Sequence, residues 1–234
     1  MSALTANTPI ITVDGPGGAG KGTVSMRLAQ ALGWHLLDSG ALYRLVGLAA
    51  EQQGVALDDE AGLSVIAEQL DVQFLADQDD LIKVVLAGQD VSHELRTERV
   101  GGLASQVAVL DGVRNALLTR QRNFAVLPGL ICDGRDMGTV VVPAAPLKVY
   151  LTASADERAK RRLEQLQSKG VAAKLCDLKN DILERDARDM NRATAPLKPA
   201  EDALQVDSTQ LGIAEVVDLI LTEAKRRGLM QQIV

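Results

Sequence analysis

The sequence predicts an α/β protein with a central, mostly parallel five-stranded sheet flanked by helices. Short apolar runs are separated by long segments with helical periodicity, and a glycine-rich loop joins the first run to the first such segment. This alternation is typical of parallel sheets whose strands are buried on both faces. The apolar runs are residues 10–13, 36–38, 130–133, 149–151 and 204–207.

The first of these runs is rich in β-branched residues, as buried strands commonly are. It ends at Asp14, where the glycine-rich loop starts, and Val24, Leu28 and Leu32 then recur with helical spacing. We therefore predict a strand, a loop and a helix in that order.

Aspartates close or follow several of the predicted strands, namely Asp14, Asp38, Asp133 and Asp207. Ligands of open α/β sheets bind beyond the carboxyl ends of the strands. We therefore expect these four residues to border the ligand crevice.

One segment interrupts the alternation of strands and helices. Residues 72–75 and 81–86 have the pattern of two strands, and an acidic turn at residues 77–80 joins them. This pattern predicts a β-hairpin, so we assign residues of about 70–95 to a small antiparallel insertion.

The remaining segments have helical patterns. Residues 99–126 predict one long helix that carries Arg114, and residues 155–192 predict two charged helices joined around Ser168-Lys169-Gly170. An exposed helical hairpin of this kind is suited to close over a site as a lid.

Composition limits the class of protein. The 234 residues are 47% hydrophobic and carry a net charge of -6 with an isoelectric point near 5.0, so a general nucleic-acid surface is not expected. The first ten residues lack the pattern of a secretion signal, and no run reaches the ~20 apolar residues of a membrane span. We therefore expect a cytoplasmic protein. Cys132 and Cys176 are too few for a disulfide framework and predict buried thiols.

The loop GPGGAGKGT at residues 15–23 satisfies two phosphate-binding patterns. Gly15, Gly17 and Gly20 fit the dinucleotide pattern GxGxxG, whereas Gly15, Gly20 and Lys21 fit the start of the P-loop pattern GxxxxGK[ST]. A P-loop uses its lysine to neutralise the β- and γ-phosphates of a nucleoside triphosphate, and a dinucleotide site has no need of this charge. Lys21 therefore favours the P-loop.

Two details leave the alternatives open. Asp38 lies at about the distance at which a dinucleotide site places its ribose-binding acid. Gly22 also departs from the P-loop pattern, since the hydroxyl arrives one residue later, at Thr23. The ending GKGT is the form found in nucleoside monophosphate kinases, which bind a second nucleotide as phosphate acceptor.

Arginines are arranged as phosphoryl transfer requires. Arg185, Arg188 and Arg192 share one helix face with Asp189, and a second helix carries three more arginines: Arg158, Arg161 and Arg162. An isolated cluster of this kind would be a solvated face with local ion pairs. Because a P-loop accompanies both clusters, we interpret them as phosphate contacts. Arg135 stands directly after a predicted strand and is expected to point into the crevice.

Four motifs together resemble the bacterial cytidylate kinases in the same order and over nearly the whole chain: DGPGGAGKGT, LLDSGALYR, DGRDMGTVV and ERDARDMNR. The resemblance implies a monomeric P-loop kinase that uses ATP with Mg²⁺ to phosphorylate CMP and dCMP. It implies a single domain over residues 1–234. Its core would be about 8–69, 96–154 and 193–234, its acceptor-binding insertion about 70–95 and its lid about 155–192.

The same resemblance assigns roles by position. The ATP-binding residues would be Gly15, Pro16, Gly17, Gly18, Ala19, Gly20, Lys21, Gly22, Thr23, Arg158, Arg161 and Arg162. The CMP-binding residues would be Ser39, Tyr43, Arg44, Ser105, Arg114, Arg135, Asp136, Arg185, Asp189 and Arg192. The catalytic residues would be Lys21, Arg135, Arg188 and Arg192.

No metal site built from side chains is expected, because His35 and His93 are the only histidines and neither lies near another ligand type. Mg²⁺ would be bound mainly through the ATP phosphates and water. Other functions stay open at this point: another small-molecule P-loop kinase, such as a uridylate or shikimate kinase, a nucleotide-dependent switch, or a dinucleotide-dependent oxidoreductase.

Overall fold

The computed structural model describes residues 8–76, 82–168 and 170–230. The predicted acidic turn at residues 77–80 and Lys169 of the predicted helix junction lie outside these residues. The chain forms two compact units. One contains the described residues up to Asp38 and from Arg122 onward, and the other is Ser39–Gln121.

Eight strands and eight helices lie within the described residues. The strands are β1 (Ile10–Asp14), β2 (His35–Asp38), β3 (Val72–Ala76), β4 (Ile82–Leu86), β5 (Gln89–Asp90), β6 (Leu130–Gly134), β7 (Leu147–Thr152) and β8 (Leu204–Asp207). The helices are α1 (Lys21–Leu32), α2 (Ser39–Gln53), α3 (Glu60–Glu68), α4 (Glu98–Val107), α5 (Asp111–Arg122), α6 (Ala155–Gln167), α7 (Leu175–Asn191) and α8 (Ile213–Arg226). A 3₁₀ turn at Glu94–Arg96 and a π-helical turn at Met137–Val141 complete the regular structure.

The first unit contains a five-stranded parallel sheet with the order β2-β6-β1-β7-β8, which confirms the predicted fold class. Asp14 pairs in register with Gly134, and Asp38 pairs with Asp133. These aspartates therefore lie at the carboxyl edge, as predicted. Asp207 ends the edge strand β8 but accepts hydrogen bonds from the backbone and side chain of Thr209, so it closes a local turn.

Helices α1 and α8 pack on this sheet and build an apolar core. Leu28 of α1 and Ile220 of α8 are fully buried together with Ile11, Ile131 and Leu147 of the strands. Full burial of one such side chain stabilises the fold by about 1.5–3 kcal/mol. The core thereby holds the start of α1 against the sheet edge.

The second unit contains α2, α3, α4, most of α5 and a three-stranded antiparallel sheet of the order β3-β4-β5. The predicted hairpin is confirmed by the pairing of β3 with β4. The short strand β5 was not predicted. A turn with positive φ at Ala87 (46°) and Gly88 (82°) leads into it, and the glycine is the sequence signal for such a turn.

The prediction of one long helix over residues 99–126 is wrong, because α4 ends at Val107 and α5 begins at Asp111. The break frees the carbonyl of Ala108, which accepts a hydrogen bond from Arg114 Nη1 at 3.3 Å. Asp111 then provides an acidic first turn, which favours the start of a new helix. A side chain therefore replaces the backbone donor that would have continued the helix.

The charged helical hairpin is confirmed as α6 and α7, which pack against each other. Ser154 caps α6 by accepting a hydrogen bond from the backbone N–H of Glu157. Cys132 is buried as predicted, but Cys176 is exposed because it lies in the first turn of α7, on its solvent side. None of the described helices is long and apolar enough to cross a membrane.

Candidate active site

The glycine-rich loop lies between β1 and α1, at the carboxyl edge of the sheet. Gly15 has φ +149°, and a Cβ built on it would lie 1.9 Å from the carbonyl oxygen of Leu151, so no side chain fits there. Gly20 caps α1 with φ +89°, a left-handed conformation that favours glycine. The first N–H groups of α1 face this loop, which is the usual arrangement for binding phosphate.

Cationic side chains from several elements reach the loop. Lys21 Nζ donates to the carbonyl oxygen of Pro16 at 2.9 Å, so the side chain folds back over the loop. A Cβ built on Gly17 would lie 3.4 Å from Arg135 Nη2 and 3.7 Å from Arg185 Nη1. The positive charges of an α1 residue, a residue after β6 and an α7 residue therefore converge on the same turn of backbone.

Burial perturbs the charges of Lys21 and Asp133. Lys21 Nζ lies 4.0 Å from Asp133 Oδ1, and both side chains are largely buried. Burial and the nearby charge of Arg135 lower the pKa of Lys21, while burial raises the pKa of Asp133. Asp133 and Asp14 offset part of the positive charge at Lys21. The further charges of Arg135 and Arg185 at the loop favour a bound anion.

Asp14 organises the chain after β6. Its carboxylate oxygens accept hydrogen bonds from the N–H groups of Met137 and Gly138, each at 2.8 Å. Burial raises the pKa of Asp14 to about 6, although both hydrogen bonds act in the opposite direction. Asp14 therefore caps the π-helical turn that follows Arg135 and Asp136, and this fixes the segment at the sheet edge.

Two ion pairs join the segment after β6 to the end of α7. Arg135 Nε donates to Asp189 Oδ2 at 2.8 Å, and Arg192 Nη2 lies 3.9 Å from Asp136 Oδ1. Four of the predicted CMP-binding residues are thus neighbours, and their charges alternate in sign. A fifth, Arg185, lies on the same helix and reaches the glycine-rich loop.

The arginines of α6 differ in their surroundings. Arg158 is buried, whereas Arg161 donates to the carbonyl oxygen and the hydroxyl of Ser208 and to Glu157. Arg162 donates to Gln165. The predicted catalytic residue Arg188 is exposed on α7.

A cavity of about 680 Å³ opens beside the N-terminus of α1. Its lining combines the glycine-rich loop with α6 and with the segment that precedes α8. The lining residues are Gly18, Gly20, Lys21, Gly22, Thr23, Arg161, Glu164, Gln165, Ser168, Leu211, Gly212 and Ile213. The volume suits a nucleoside, since small-molecule sites commonly measure about 300–1,000 Å³.

The other predicted CMP-binding residues belong to the second unit. Ser39 Oγ donates to Gln121 Oε1 at 2.7 Å, and the guanidinium carbon of Arg114 lies 5.9 Å from the ring centroid of Tyr43. Helices α2 and α5 thus bring Arg114 next to Tyr43, and Ser39 contacts α5 through Gln121. The remaining two make separate contacts: Arg44 donates to the carbonyl oxygen of Leu95, and Ser105 donates to that of Gly101.

Sequence reasoning missed three features of these sites. Asp186 of α7 pairs with Arg158 of α6. The motif ERDARDMNR that contains Asp186 was recognised, but no role was assigned to this residue. Gln121 could not be predicted as a site residue, because a lone glutamine in a helical pattern is not a recognisable binding motif. Residues 211–213 follow the last strand, so the rule that ligands gather at strand ends could have found them.

Comparisons with known proteins agree with this geometry. The sequence profile of the family described as cytidylate kinase matches residues 11–226. The chain is 56% identical over 224 residues to a cytidylate kinase of Shewanella loihica, which covers 96% of this chain and 97% of that protein. It is 59% identical over 218 residues to a cytidylate kinase of Vibrio cholerae, which covers 93% and 96% of the two chains. The chain therefore belongs to the cytidylate kinase family.

Proposed function

We propose that the protein transfers the γ-phosphoryl group of ATP to CMP and dCMP, forming ADP with CDP or dCDP in pyrimidine nucleotide metabolism. The observation that carries this proposal is the convergence of Lys21, Arg135 and Arg185 on the glycine-rich loop. Membership of the cytidylate kinase family supports the choice of acceptor.

We propose that the glycine-rich loop and the adjoining cavity bind the donor. Residues 15–23 bind the triphosphate, and Lys21 neutralises its β- and γ-phosphates. The adjoining cavity takes the nucleoside, which packs near Leu211, Ile213 and Arg161. We infer that the γ-phosphate lies near Arg135, because Arg135 Nη2 lies 3.4 Å from the Cβ position of Gly17 in the loop.

The acceptor is recognised through the base and the phosphate. Asp136 accepts a hydrogen bond from the exocyclic amine of cytosine, whereas uracil presents a carbonyl there and leaves the carboxylate without a donor. On the family resemblance alone, Ser39 and Arg114 of the second unit are also proposed as contacts to the base. The other proposed acceptor contacts are Tyr43, Arg44, Ser105, Arg135, Arg185, Asp189 and Arg192.

The reaction is an in-line displacement. A phosphate oxygen of CMP attacks the γ-phosphorus while the bond from the γ-phosphorus to the bridging oxygen breaks, and ADP leaves with that electron pair. No general base is needed, because the acceptor phosphate is ionised near neutral pH. Arg135, Arg188 and Arg192 stabilise charge on the migrating group, and closure of α6 and α7 excludes water.

Mg²⁺ fits the side chains at this edge of the sheet. Asp133 offers a buried carboxylate and Thr23 a hydroxyl, both oxygen ligands of the kind that Mg²⁺ prefers. Within the described ranges no three acidic, histidine or cysteine residues form a metal cluster, so most ligands would be phosphate oxygens and water. When bound, the ion would neutralise phosphate charge during transfer.

A coupled assay of ADP formation tests the proposal. Purified protein is given ATP and Mg²⁺ with CMP, dCMP, UMP, AMP or shikimate in turn, and Lys21→Ala serves as the matched negative control. We expect turnover with CMP and dCMP, and a rate about 100-fold lower in the control. Turnover only with UMP or shikimate would support a kinase activity but contradict the proposed cytosine site. Absence of acceptor-dependent turnover would favour a nucleotide-dependent switch.

We also propose that the protein acts as a cytoplasmic monomer on these small molecules, without nucleic-acid or membrane partners. The net charge of -6 supports this, since it disfavours anionic surfaces. Light scattering of the purified protein would measure its mass against the 24.9 kDa chain.

A further inference from the structure

The guanidinium group of Arg158 is almost fully used by the protein. Nε donates to the carbonyl oxygen of Ala153 at 2.9 Å, and Nη1 donates to the carbonyl oxygen of Gly17 at 2.9 Å and to Asp186 Oδ1 at 3.1 Å. Nη2 donates to Asp186 Oδ2 at 2.5 Å. An arginine has five N–H donors, so these contacts leave one of them for any ligand.

The pair of Arg158 and Asp186 is bidentate and shielded from water. The two side chains are 5% and 11% exposed. Such parallel hydrogen bonds fix both distance and angle, and removal of one partner leaves a buried charge without compensation. Arg158 does not belong to the lining of the 680 Å³ cavity within the described chain, whereas Arg161 of the same helix does.

This pair connects three parts of the site. Arg158 lies in the first turns of α6, Asp186 lies in α7, and the carbonyl oxygen of Gly17 belongs to the glycine-rich loop. Asp189, one turn after Asp186, accepts a hydrogen bond from Arg135. Two carboxylates of α7 therefore bind two arginines, one on α6 and one after β6.

Arg185 directly precedes Asp186 on α7, so the pairing of Asp186 also affects the position of Arg185. Its Nη1 reaches the loop, 3.7 Å from the Cβ position of Gly17. If α7 turned or shifted, Arg185 would leave this position. Arg188 on the same helix and Arg192, which directly follows it, would move as well. The rotation of α7 about its own axis is therefore set by Asp186 and Asp189 together.

We propose that Arg158 and Asp186 are positioning residues for phosphoryl transfer. This role rests on the proposed function. Arg158 acts through Asp186 and the Gly17 carbonyl, which orient the arginines of α7, and it does not bind an ATP phosphate itself. The pair is expected to affect turnover as a unit.

Four variants test the pair by steady-state kinetics with ATP and CMP: Asp186→Asn, Arg158→Ala, Arg158→Lys and the double variant Asp186→Asn with Arg158→Ala. We expect each single change to lower kcat by about tenfold, and the double variant to be no more than about twofold slower than the slower single variant. Arg158→Lys should not restore activity, because an ammonium cannot form the bidentate pair. Glu184→Gln, an exposed acid of the same helix, is the matched control and should behave as wild type.

A direct phosphate contact by Arg158 gives the opposite pattern. Asp186→Asn would then leave kcat near the wild-type value, Arg158→Lys would recover much of the loss, and the effects of the two changes would multiply. Any of these results overturns the proposal. So does a loss of kcat that merely follows the unfolded fraction measured by circular dichroism at the assay temperature.

The wild-type protein in the same assay separates this inference from the proposed function. Absence of CMP-dependent ADP formation by wild type contradicts the proposed function. An active wild type with independent effects of the two changes contradicts only the role of the pair.

Discussion

Ser39 on α2 donates its hydroxyl hydrogen to Oε1 of Gln121 on α5, with 2.7 Å between the two oxygens, and both residues are buried. A hydroxyl has one hydrogen, so this bond leaves Ser39 Oγ to act as an acceptor toward a ligand. The exocyclic amine of cytosine is a donor, whereas the corresponding atom of uracil is an acceptor. Gln121 would thereby make Ser39 accept, rather than donate, a hydrogen bond at the base.

Replacement of Gln121 by Met, which keeps the length of the side chain but removes the amide, should reduce discrimination. We expect the ratio of kcat/KM for CMP over UMP to fall by about tenfold, because the freed Ser39 hydroxyl can then donate to uracil. The measurement is the acceptor-dependent rate with each nucleotide. Gln106→Met, on an exposed part of α4, is the matched control.

The effect of Gln121→Met should vanish in a Ser39→Ala background, since there is then no hydroxyl to orient. A change of discrimination that persists in this background, or none in the single variant, would refute the relationship.

Asp136 is expected to carry the larger share of base selectivity. Asp136→Ala removes the carboxylate that accepts from the cytosine amine, and it also removes the neighbour of Arg192. We expect the preference for CMP over UMP to fall by at least about tenfold, with KM for CMP rising more than KM for ATP. Unchanged discrimination would exclude Asp136 from base recognition.

ATP binding should be linked to proton uptake by Lys21. Burial and the charge of Arg135 lower the pKa of Lys21 from 10.5 to about 7. Bound phosphates favour the charged ammonium, so at pH 8 the complex should take up protons, and ATP affinity should fall as the pH rises above 7. Calorimetry at pH 8 in two buffers with different heats of ionisation measures the number of protons.

The control for this prediction is Lys21→Arg, whose guanidinium stays charged throughout this range. It should take up fewer protons on binding ATP. Equal proton uptake by both proteins would show that a different group titrates.

Gly15 and Gly22 should respond differently to a methyl group. Gly15→Ala places a Cβ 1.9 Å from the Leu151 carbonyl oxygen in a backbone with φ +149°, so the loop and β7 must move apart. At Gly22, within α1, the nearest atom outside the helix backbone would be Asp133 Oδ2 at 3.5 Å, an ordinary van der Waals distance. We expect Gly15→Ala to lower the melting temperature by several degrees, consistent with a cost of about 1–3 kcal/mol.

Gly22→Ala should melt at or above the wild-type temperature, because alanine is favoured over glycine inside a helix by about 0.5–1 kcal/mol. Calorimetric melting curves of both variants check the comparison. Equal melting temperatures would show that the loop tolerates a side chain at Gly15.

The order of strands and helices was predictable because each signal is local. The apolar runs, the glycine-rich loop and the helical spacing report on neighbouring residues, and the predicted parallel sheet is confirmed in the first unit. The break between α4 and α5 was missed, because it contains no proline and Asp111 was not recognised as the start of a new helix. At the break the carbonyl oxygen of Ala108 accepts a hydrogen bond from Arg114 Nη1, a contact that periodicity does not encode.

By itself, the sequence determined the parallel α/β class, the glycine-rich loop with Lys21 and the cationic helix faces, because spacing along one chain suffices for these. Only the tertiary structure decided which polar side chains pair with each other. Arg158 pairs with Asp186 across 28 positions, and Ser39 meets Gln121 across 82, because packing of separate helices brings them together. Hydrogen bonds and ion pairs act over a few ångströms, so partners far apart in sequence become visible only once the chain has folded.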